Sequence, residues 1–384
     1  MPAKNKTPPA NEAGHGSEKS EPKKPKTQKT ERPAIIPKDP APRQLPPPGT
    51  KTFKAVSWNV AGLRSLMDKN PGLLRKIVDE EQPDVFSLQE HKLQEQHVAE
   101  LTEKLTKLLP EYPTIKFAVS TAKKGYSGVC VLAKARLPDS GSPRDSQDTT
   151  NASPAKKSIQ PSAASFFGGS GTKKEDEEEE EEEKKKASPA ANKNYSGPSL
   201  LAVSEGLGEF GGGYLDEGRV LTMEFEEFFL TFAYVPNSGA KLERLPYRLK
   251  TWDADFRDYL AFLDTKKPVV MGGDLNVAHL DVDIYNVESP HVVKSAGTTP
   301  EERQSFAQTL QSLDFVDTFR KQHPHVTGWY TQWSQRAGNR PKNRGLRLDY
   351  FICSKRLDVV DGFICEQTAP WASDHAPLGV TLRL

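Results

Sequence analysis

Residues 268–276 read Pro-Val-Val-Met-Gly-Gly-Asp-Leu-Asn, an apolar run of strand character, two glycines, then a carboxylate and an amide two positions apart. Strand side chains alternate between faces, so Asp274 and Asn276 are predicted to point the same way if the strand continues through them. Such a pair suits a metal ion or a phosphate. Gly-Asp and Asn are also ordinary turn residues, and the segment taken alone leaves a polar turn equally open. Four further segments repeat the arrangement. Asn59 lies in Ala55–Val60, Glu90 ends Asp84–Glu90, Asp349 opens Leu348–Ile352, and Asp374 and His375 stand together just before Pro377 and Leu378. Acids inside apolar strand segments are costly unless paired, hydrogen-bonded or metal-bound, so several such segments predict one shared site.

Collected, these residues are four acids, two amides and an imidazole. Hard oxygen ligands of this kind favour Mg²⁺ or Mn²⁺. No cysteine or second histidine joins the set, which argues against zinc. Beside a phosphodiester, a metal there would draw charge from the phosphoryl or leaving oxygen. A carboxylate would activate water, and amide and imidazole donors would hold the negative transition state.

The elements that must position these residues occupy only part of the chain. Of 384 residues 31 are proline, and the net charge of +1 conceals a mosaic. Residues 1–50 are rich in Pro, Lys, Glu and Thr and poor in large apolar side chains, a composition that predicts a disordered arm. Its cluster Lys23-Lys24-Pro25-Lys26 reads as a nuclear localisation signal, a loose phosphate contact or a merely solvated tail. A second low-complexity stretch, about 137–197, contains an unbroken acidic block from Glu175 to Glu183 followed by three lysines. Such a block repels itself and stays solvated. Strand-like runs flank it, so it is expected to be a disordered insert within one catalytic domain spanning 51–384. The remaining roughly 270 residues suit one large α/β domain. The three cysteines, Cys130, Cys353 and Cys365, sit in or beside apolar runs and are expected as buried thiols in a reducing compartment. No run is long and apolar enough to span a membrane, and no secretory signal is expected.

Beyond the five polar-ended segments, strands are predicted at Gly128–Ala133, Arg219–Phe225 and Phe229–Val235. Helices are predicted at Leu73–Glu80, His97–Leu109 and Tyr247–Leu263, the last with Trp252, Phe256, Tyr259 and Leu260 on a core stripe. Thr299 as N-cap with Pro300 at the first helical position predicts another helix. Strands and helices mingle without strict βαβ order, which predicts two packed sheets with outer helices and the loops gathered at one end.

Nine motifs occur in a recognisable order. They are Ser57-Trp58-Asn59-Val60, Leu88-Gln89-Glu90-His91-Lys92, Gly125-Tyr126-Ser127-Gly128-Val129, Glu217-Gly218-Arg219-Val220 and Ala233-Tyr234-Val235-Pro236-Asn237, then Gly273-Asp274-Leu275-Asn276-Val277-Ala278-His279, Thr299-Pro300-Glu301-Glu302-Arg303, Arg347-Leu348-Asp349-Tyr350-Phe351 and Ser373-Asp374-His375-Ala376-Pro377. From about Phe53 to Leu384, apart from the insert, the chain resembles the exonuclease III-type apurinic/apyrimidinic (AP) endonucleases. These belong to the endonuclease/exonuclease/phosphatase superfamily. The Tyr-Val-Pro-Asn, Thr-Pro-Glu-Glu-Arg and Asp-Leu-Asn-Val-Ala-His segments favour this branch over lipid or inositol phosphatases.

The resemblance implies a four-layered α/β sandwich (deoxyribonuclease I-like) and an Mg²⁺-dependent nuclease of base excision repair, with Mn²⁺ as a substitute. Its substrates would be double-stranded DNA carrying abasic sites or blocked 3′ ends, and 3′-phosphodiesterase and 3′→5′ exonuclease activities would accompany incision. The implied catalytic residues are Tyr234, Asp274, Asn276, Asp349 and His375, and the implied metal site is Asn59, Glu90, Asp274, Asn276, Asp374 and His375. Asp274 would activate water, Asn276 and His375 would contact the phosphate, and Asp349 would orient His375. Asn237 would bind beside them. The segment holding Trp333, Arg336, Arg340, Lys342, Asn343 and Arg344 reads as a cationic loop that tracks a phosphate backbone while its ring stacks or wedges. The expected protein is a nuclear monomer, with mitochondria a second location and repair proteins as partners of the arm or insert. Ala61, Ala240, Gln332 and Leu346 depart from animal relatives around the metal and sugar pocket, which puts substrate choice in question. The competing readings are a mainly 3′-end-processing exonuclease, a phosphomonoesterase or lipid phosphodiesterase, and a non-catalytic DNA-binding scaffold.

Overall fold

The computed structural model describes residues 35–138, 195–210, 214–367 and 371–384. Most of the arm and nearly all of the insert, with its acidic block, lie outside the described residues. Among the described residues twelve strands form two six-stranded sheets. The first sheet comprises β1 (Thr52–Asn59), β2 (Val85–Gln89), β3 (Thr114–Ala118), β4 (Val129–Ala133), β11 (Val359–Ile364) and β12 (Leu378–Arg383), in the order β11-β12-β1-β2-β4-β3. The second comprises β5 (Leu200–Glu205), β6 (Val220–Phe225), β7 (Phe229–Tyr234), β8 (Val269–Asp274), β9 (Phe315–Asp317) and β10 (Asp349–Ser354), in the order β5-β6-β7-β8-β10-β9. Among the described strands only β1–β2 and β7–β8 run parallel.

Alternation along each strand explains the layering. Phe53 and Ala55 of β1, Val129 and Val131 of β4, Met223 of β6, Phe232 of β7 and Val270 of β8 share one buried cluster between the sheets. Their sequence neighbours face outward. Val56, Trp58, Phe86, Cys130 and Leu132 pack under α1 (Leu63–Lys69), α2 (Gly72–Glu81) and α3 (Val98–Leu108). Val269, Met271 and Ile352 pack under α4 (Asp253–Lys266) and α5 (Pro300–Leu313). The result is the four-layered sandwich that was expected. The predicted stripe Trp252, Phe256, Tyr259 and Leu260 is buried in the outer layer, and a π-helical turn, Arg248–Trp252, leads into α4. Thr299 caps α5 by accepting from Glu302 N, with Pro300 at the first helical position. All three cysteines are buried free thiols, and among the described residues no helix is long and apolar enough to cross a membrane.

Two expected boundaries move. The arm was expected to extend to residue 50, yet the chain packs on the domain from Ile35 onward. Ile36 and Ala41 bury apolar surface against the inter-sheet core. Arg43 reaches Glu81 at 3.0 Å and Asp361 at 2.5 Å. Backbone pairing and these ion pairs outweigh the low apolar content of the segment. Likewise Leu137 and Tyr195, at the ends of the insert, pack against the same core.

Candidate active site

The sheets place the chemistry at one end. Asn59 is the last residue of β1 and lies opposite Gln89, so Glu90 emerges one residue beyond β2. In the second sheet Tyr234, Asp274 and Asp349 form one row across β7, β8 and β10. Gly273 is required just before Asp274: it has φ +136°, and a Cβ there would stand 2.0 Å from Ala233 O. His375 enters from the loop before β12, pinned by its carbonyl accepting from Trp58 Nε1 at 3.1 Å. Ser373 Oγ donates to Asn59 O at 2.6 Å and accepts from His375 N at 3.1 Å, which ties this loop to β1.

His375 Nδ1 pairs with Asp349 Oδ2 at 2.8 Å, leaving Nε2 facing Asp274 Oδ2 at 3.9 Å. That separation is too long for a direct hydrogen bond and leaves both groups addressing one point. Burial alone would depress the imidazole, but Asp349 and then Asp274 outweigh it and push His375 up to about 10. His375 is therefore a cation at neutral pH. Asp274 is pushed up to about 7, by burial first and then by the charge of Asp349, against the pull of His375. Asn59 Nδ2 donates to Asp274 Oδ2 at 2.9 Å and to Glu90 Oε1 at 3.1 Å, bridging two acids that would otherwise repel. Burial favours the neutral form of Glu90, but Lys92, 2.7 Å away, wins and lowers it. Tyr234 hydrogen-bonds Glu90. Burial, then Glu90 and Asp274, hold its phenol well above the ordinary range, so it is a neutral donor.

Strand continuation does not explain Asn276. β8 ends at Asp274, and Asn276 adopts φ +49°. The chain turns there because Asn276 N donates to Asp274 Oδ1 at 2.9 Å. The Asn276 side chain is already engaged, with Nδ2 on Val235 O and Oδ1 accepting from Asn237 Nδ2, both at 2.9 Å. Its oxygen thus has one donor partner, and its place among the metal ligands rests on the resemblance. In the metal-free protein the protonated His375 presents an N–H donor at Nε2. The Asn59 oxygen accepts from Ala61 N at 3.0 Å, while its amide nitrogen spaces the two carboxylates. Asp374 is half-buried and paired with Gln332 Nε2 at 3.4 Å.

A cation fits the remaining donors. The ligand atoms of Asp274, Asp349 and His375 lie within 4.8 Å of one another. Asp349 Oδ1 is buried without a hydrogen-bond partner among the described residues, an oxygen that a metal ion would satisfy. Glu90, bridged to Asp274 through Asn59, supplies the further hard oxygens.

Several supporting residues were missed in the sequence. Thr331 Oγ1 accepts from Leu348 N and Asp349 N at 2.9 and 3.0 Å, fixing the start of β10. Buried Arg248 holds Pro236 O, Asn276 O and Leu275 O at 3.1, 2.9 and 2.6 Å, clamping the loop after Asp274. Arg219 lies under the Tyr234 ring, 4.8 Å from its centroid, and donates to Tyr234 O at 2.8 Å. A buried arginine has no local sequence signature; only the motif Glu217-Gly218-Arg219 hinted at one of them.

The basic loop is more structural than expected. Trp333 is 2% exposed, so its ring is not available to stack on a base. It packs in the core, and its Nε1 donates to Asn343 Oδ1 at 3.2 Å. Arg340 lies over that ring and donates to Ser373 O at 2.9 Å. Asn343, at φ +48°, holds Gly328 O at 2.9 Å. Arg336 and Lys342 are exposed, and Arg344 is half-buried. Asn237 is exposed beside Asn276.

Carboxylates and an imidazolium gathered at the rim of a two-sheet sandwich, with a cation-sized set of oxygens, define a metal-dependent hydrolase of the deoxyribonuclease I-like class. The sequence profile of the endonuclease/exonuclease/phosphatase family matches residues 56–375. The chain is 36% identical over 354 residues to the "DNA repair nuclease APEX1" of Danio rerio, covering 91% of this chain and 89% of that one. It is 31% identical over 334 residues to an "Exodeoxyribonuclease" of Bacillus subtilis, covering 86% of this chain and all of the other. The crystal structure of the AP endonuclease LMAP from Leishmania major superimposes with a TM-score of 0.66 at 30% identity, covering 91% of this chain and 93% of that one. The chain belongs to the endonuclease/exonuclease/phosphatase family, in its exonuclease III-type AP endonuclease branch.

Proposed function

We propose that this protein is an Mg²⁺-dependent nuclear DNA repair nuclease that hydrolyses the phosphodiester 5′ to an abasic site in duplex DNA, leaving 3′-hydroxyl and 5′-deoxyribose phosphate ends. Trimming of blocked 3′ ends is the second activity of the same site. The observation that carries this reading is the facing pair of Asp274 and His375, with Asp349 behind the imidazole. Asp274 takes the proton of the attacking water, with Asn59 Nδ2 and Asn276 N fixing its two oxygens. His375, oriented through Nδ1 by Asp349, presents a positive Nε2–H to the phosphoryl oxygen as charge builds there. Tyr234 offers a neutral hydroxyl beside the same phosphate. A bound Mg²⁺, held by Glu90, Asp274 and the free oxygen of Asp349, supplies charge neutralisation at the phosphate and leaving oxygen.

Incubation with a duplex carrying one tetrahydrofuran abasic analogue tests the assignment. Incision with Mg²⁺ and none with EDTA is expected; metal-independent incision, or none at all, would overturn it. A recessed 3′-end substrate assayed in parallel measures the second activity.

Arg336 and Lys342 remain as the loop's free cations for the DNA backbone. Replacing each with alanine should weaken binding about equally on all sequences and reduce the slope of log K against log salt by about 1 per residue. An unchanged slope in the double variant would remove this loop from the DNA interface.

A further inference from the structure

The segment before β1 does more than lie on the surface. Ile36 N donates to Lys342 O at 3.0 Å, and Asn343 Nδ2 donates back to Ile36 O at 3.3 Å. Three residues on, Asp39 N donates to Thr327 O at 3.1 Å, and Asp39 Oδ2 accepts from Thr327 N at 2.7 Å and from Thr327 Oγ1 at 2.9 Å. Trp329 Nε1 donates to Asp39 O at 2.7 Å, while Lys38 covers the same ring at 3.5 Å and pairs with Glu366. The fit leaves no slack: a Cβ on Gly328, at φ +77°, would stand 2.1 Å from Pro37 O. Residues 36–39 thus form a strap clamped on Thr327–Trp329 at one edge and on Lys342–Asn343 at the other.

The second clamp bears on the basic loop. Asn343 is the hub: it takes the Trp333 indole N–H and gives its amide protons to Gly328 O and Ile36 O. The loop contains no α-helix or strand, only the short 3₁₀ turn Arg340–Lys342. Arg340 joins this turn to the catalytic loop through Ser373 O, two residues from His375. The loop's own backbone bonds, such as Leu346 N to Gln332 O and Arg344 N to Asn339 O, close its base, and these external contacts set how it sits on the domain.

We propose that the strap Ile36–Asp39 is a positioning element for DNA binding, holding Lys342 and its neighbours at the height and angle at which they meet the phosphate backbone. The inference rests on the reading of this loop as part of the DNA interface. Elements far from the chemistry act in this way by pre-organising a loop whose ordering would otherwise be paid for on binding. The strap then acts on affinity and leaves the hydrolytic step to Asp274 and His375.

The test uses the full chain. Ile36→Pro removes the N–H that Lys342 O accepts, and Gly328→Ala pushes the strap away from the opposite edge. Both should weaken binding to undamaged duplex DNA about tenfold, the effect of one or two net hydrogen bonds. Turnover at saturating abasic duplex should stay near that of the parent, and tryptic cleavage after Lys342 should accelerate. Ile36→Val keeps the N–H and most of the apolar contact and should bind like the parent. Unchanged affinity in both strap variants, alongside weakened binding in Arg336→Ala/Lys342→Ala, would overturn the strap's role while leaving the DNA loop in place. Unchanged affinity in all of them would overturn the DNA loop itself. Equal loss in Ile36→Val, or loss of turnover at saturation, would also overturn the positioning role.

Discussion

Asp274→Asn is expected to abolish incision, with a loss of at least about 10²–10⁴-fold in turnover, the range contributed by a positioned general base. An amide at this place cannot take a proton, and it presents an NH₂ group to Asn59 Nδ2 or Asn276 N, each of which needs an acceptor. Binding to uncut abasic duplex should stay largely intact, since Asp274 is buried and its removal deletes no cation from the surface. The wild-type rate should fall about tenfold per pH unit on the acid side as the base is protonated. In the metal-free protein burial and the Asp349 charge push Asp274 up to about 7. The stability sign is opposite to that of a salt-bridged acid. The folded state holds the Asp274 proton more tightly than the unfolded chain does, so this group's contribution to stability falls as pH rises from the carboxylate range to about 7. Removing this titrating group should therefore flatten the pH dependence of melting between the carboxylate range and about 7. Single-turnover rates and thermal unfolding across pH check both statements; a variant retaining even a tenth of the activity would remove Asp274 from the role of base.

Asp283→Ala is expected to cause the largest loss of stability, about 3–5 kcal/mol, the cost of stranding a buried charge by removing its partner. Asp283 is fully buried and accepts from Arg320 at 2.5 and 3.0 Å and from Arg347 at 2.8 and 3.0 Å. Arg347 also reaches Asp317 at 2.6 Å, so one guanidinium would keep a carboxylate while Arg320 would keep only the carbonyls of His323 and Val326. Burial favours the neutral form of Asp283, but Arg347 and then Arg320 outweigh it and hold Asp283 down at about 2. Its stabilisation is thus complete above the ordinary carboxylate range and is lost as pH falls through about 2. Two of the network's four members lead straight to the site: Arg347 stands two residues before Asp349, and Asp317 lies opposite Ile352 in the sheet. Denaturant unfolding at pH 7 reads the loss directly. A midpoint shift worth less than about 1 kcal/mol would mean that the cluster is satisfied some other way.

The layer architecture was legible because alternation is a local property. Val56 and Trp58 on one face, with Phe53 and Ala55 on the other, already describe a strand buried on both sides. The helix from Pro300 was equally legible, since its cap and first turn are sequence-adjacent. Trp333 was misjudged because an aromatic among arginines reads the same whether its ring faces solvent or core. Its burial depends on Asn343, which lies ten residues away in sequence. Ile35–Thr50 was misjudged because composition measures what a segment can bury by itself, whereas this one is held by backbone and ion-pair contacts to Thr327, Lys342, Glu81 and Asp361.

From the sequence alone came the family resemblance, the sandwich and the seven polar residues at strand ends, because strand periodicity and residue type are written along the chain. Only the tertiary structure decided their division of labour. Asp349 and His375 are 26 residues apart in sequence and Asn59 and Asp274 are 215 apart. Their distances, and the fields that make His375 a cation and Asp274 a base, arise when two sheets bring their ends together. Protonation state and hydrogen-bond commitment depend on burial and on neighbours distant in the chain. For that reason the turn at Asn276, held by Asp274, Asn237 and Val235, could not be read from the spacing of Asp274 and Asn276.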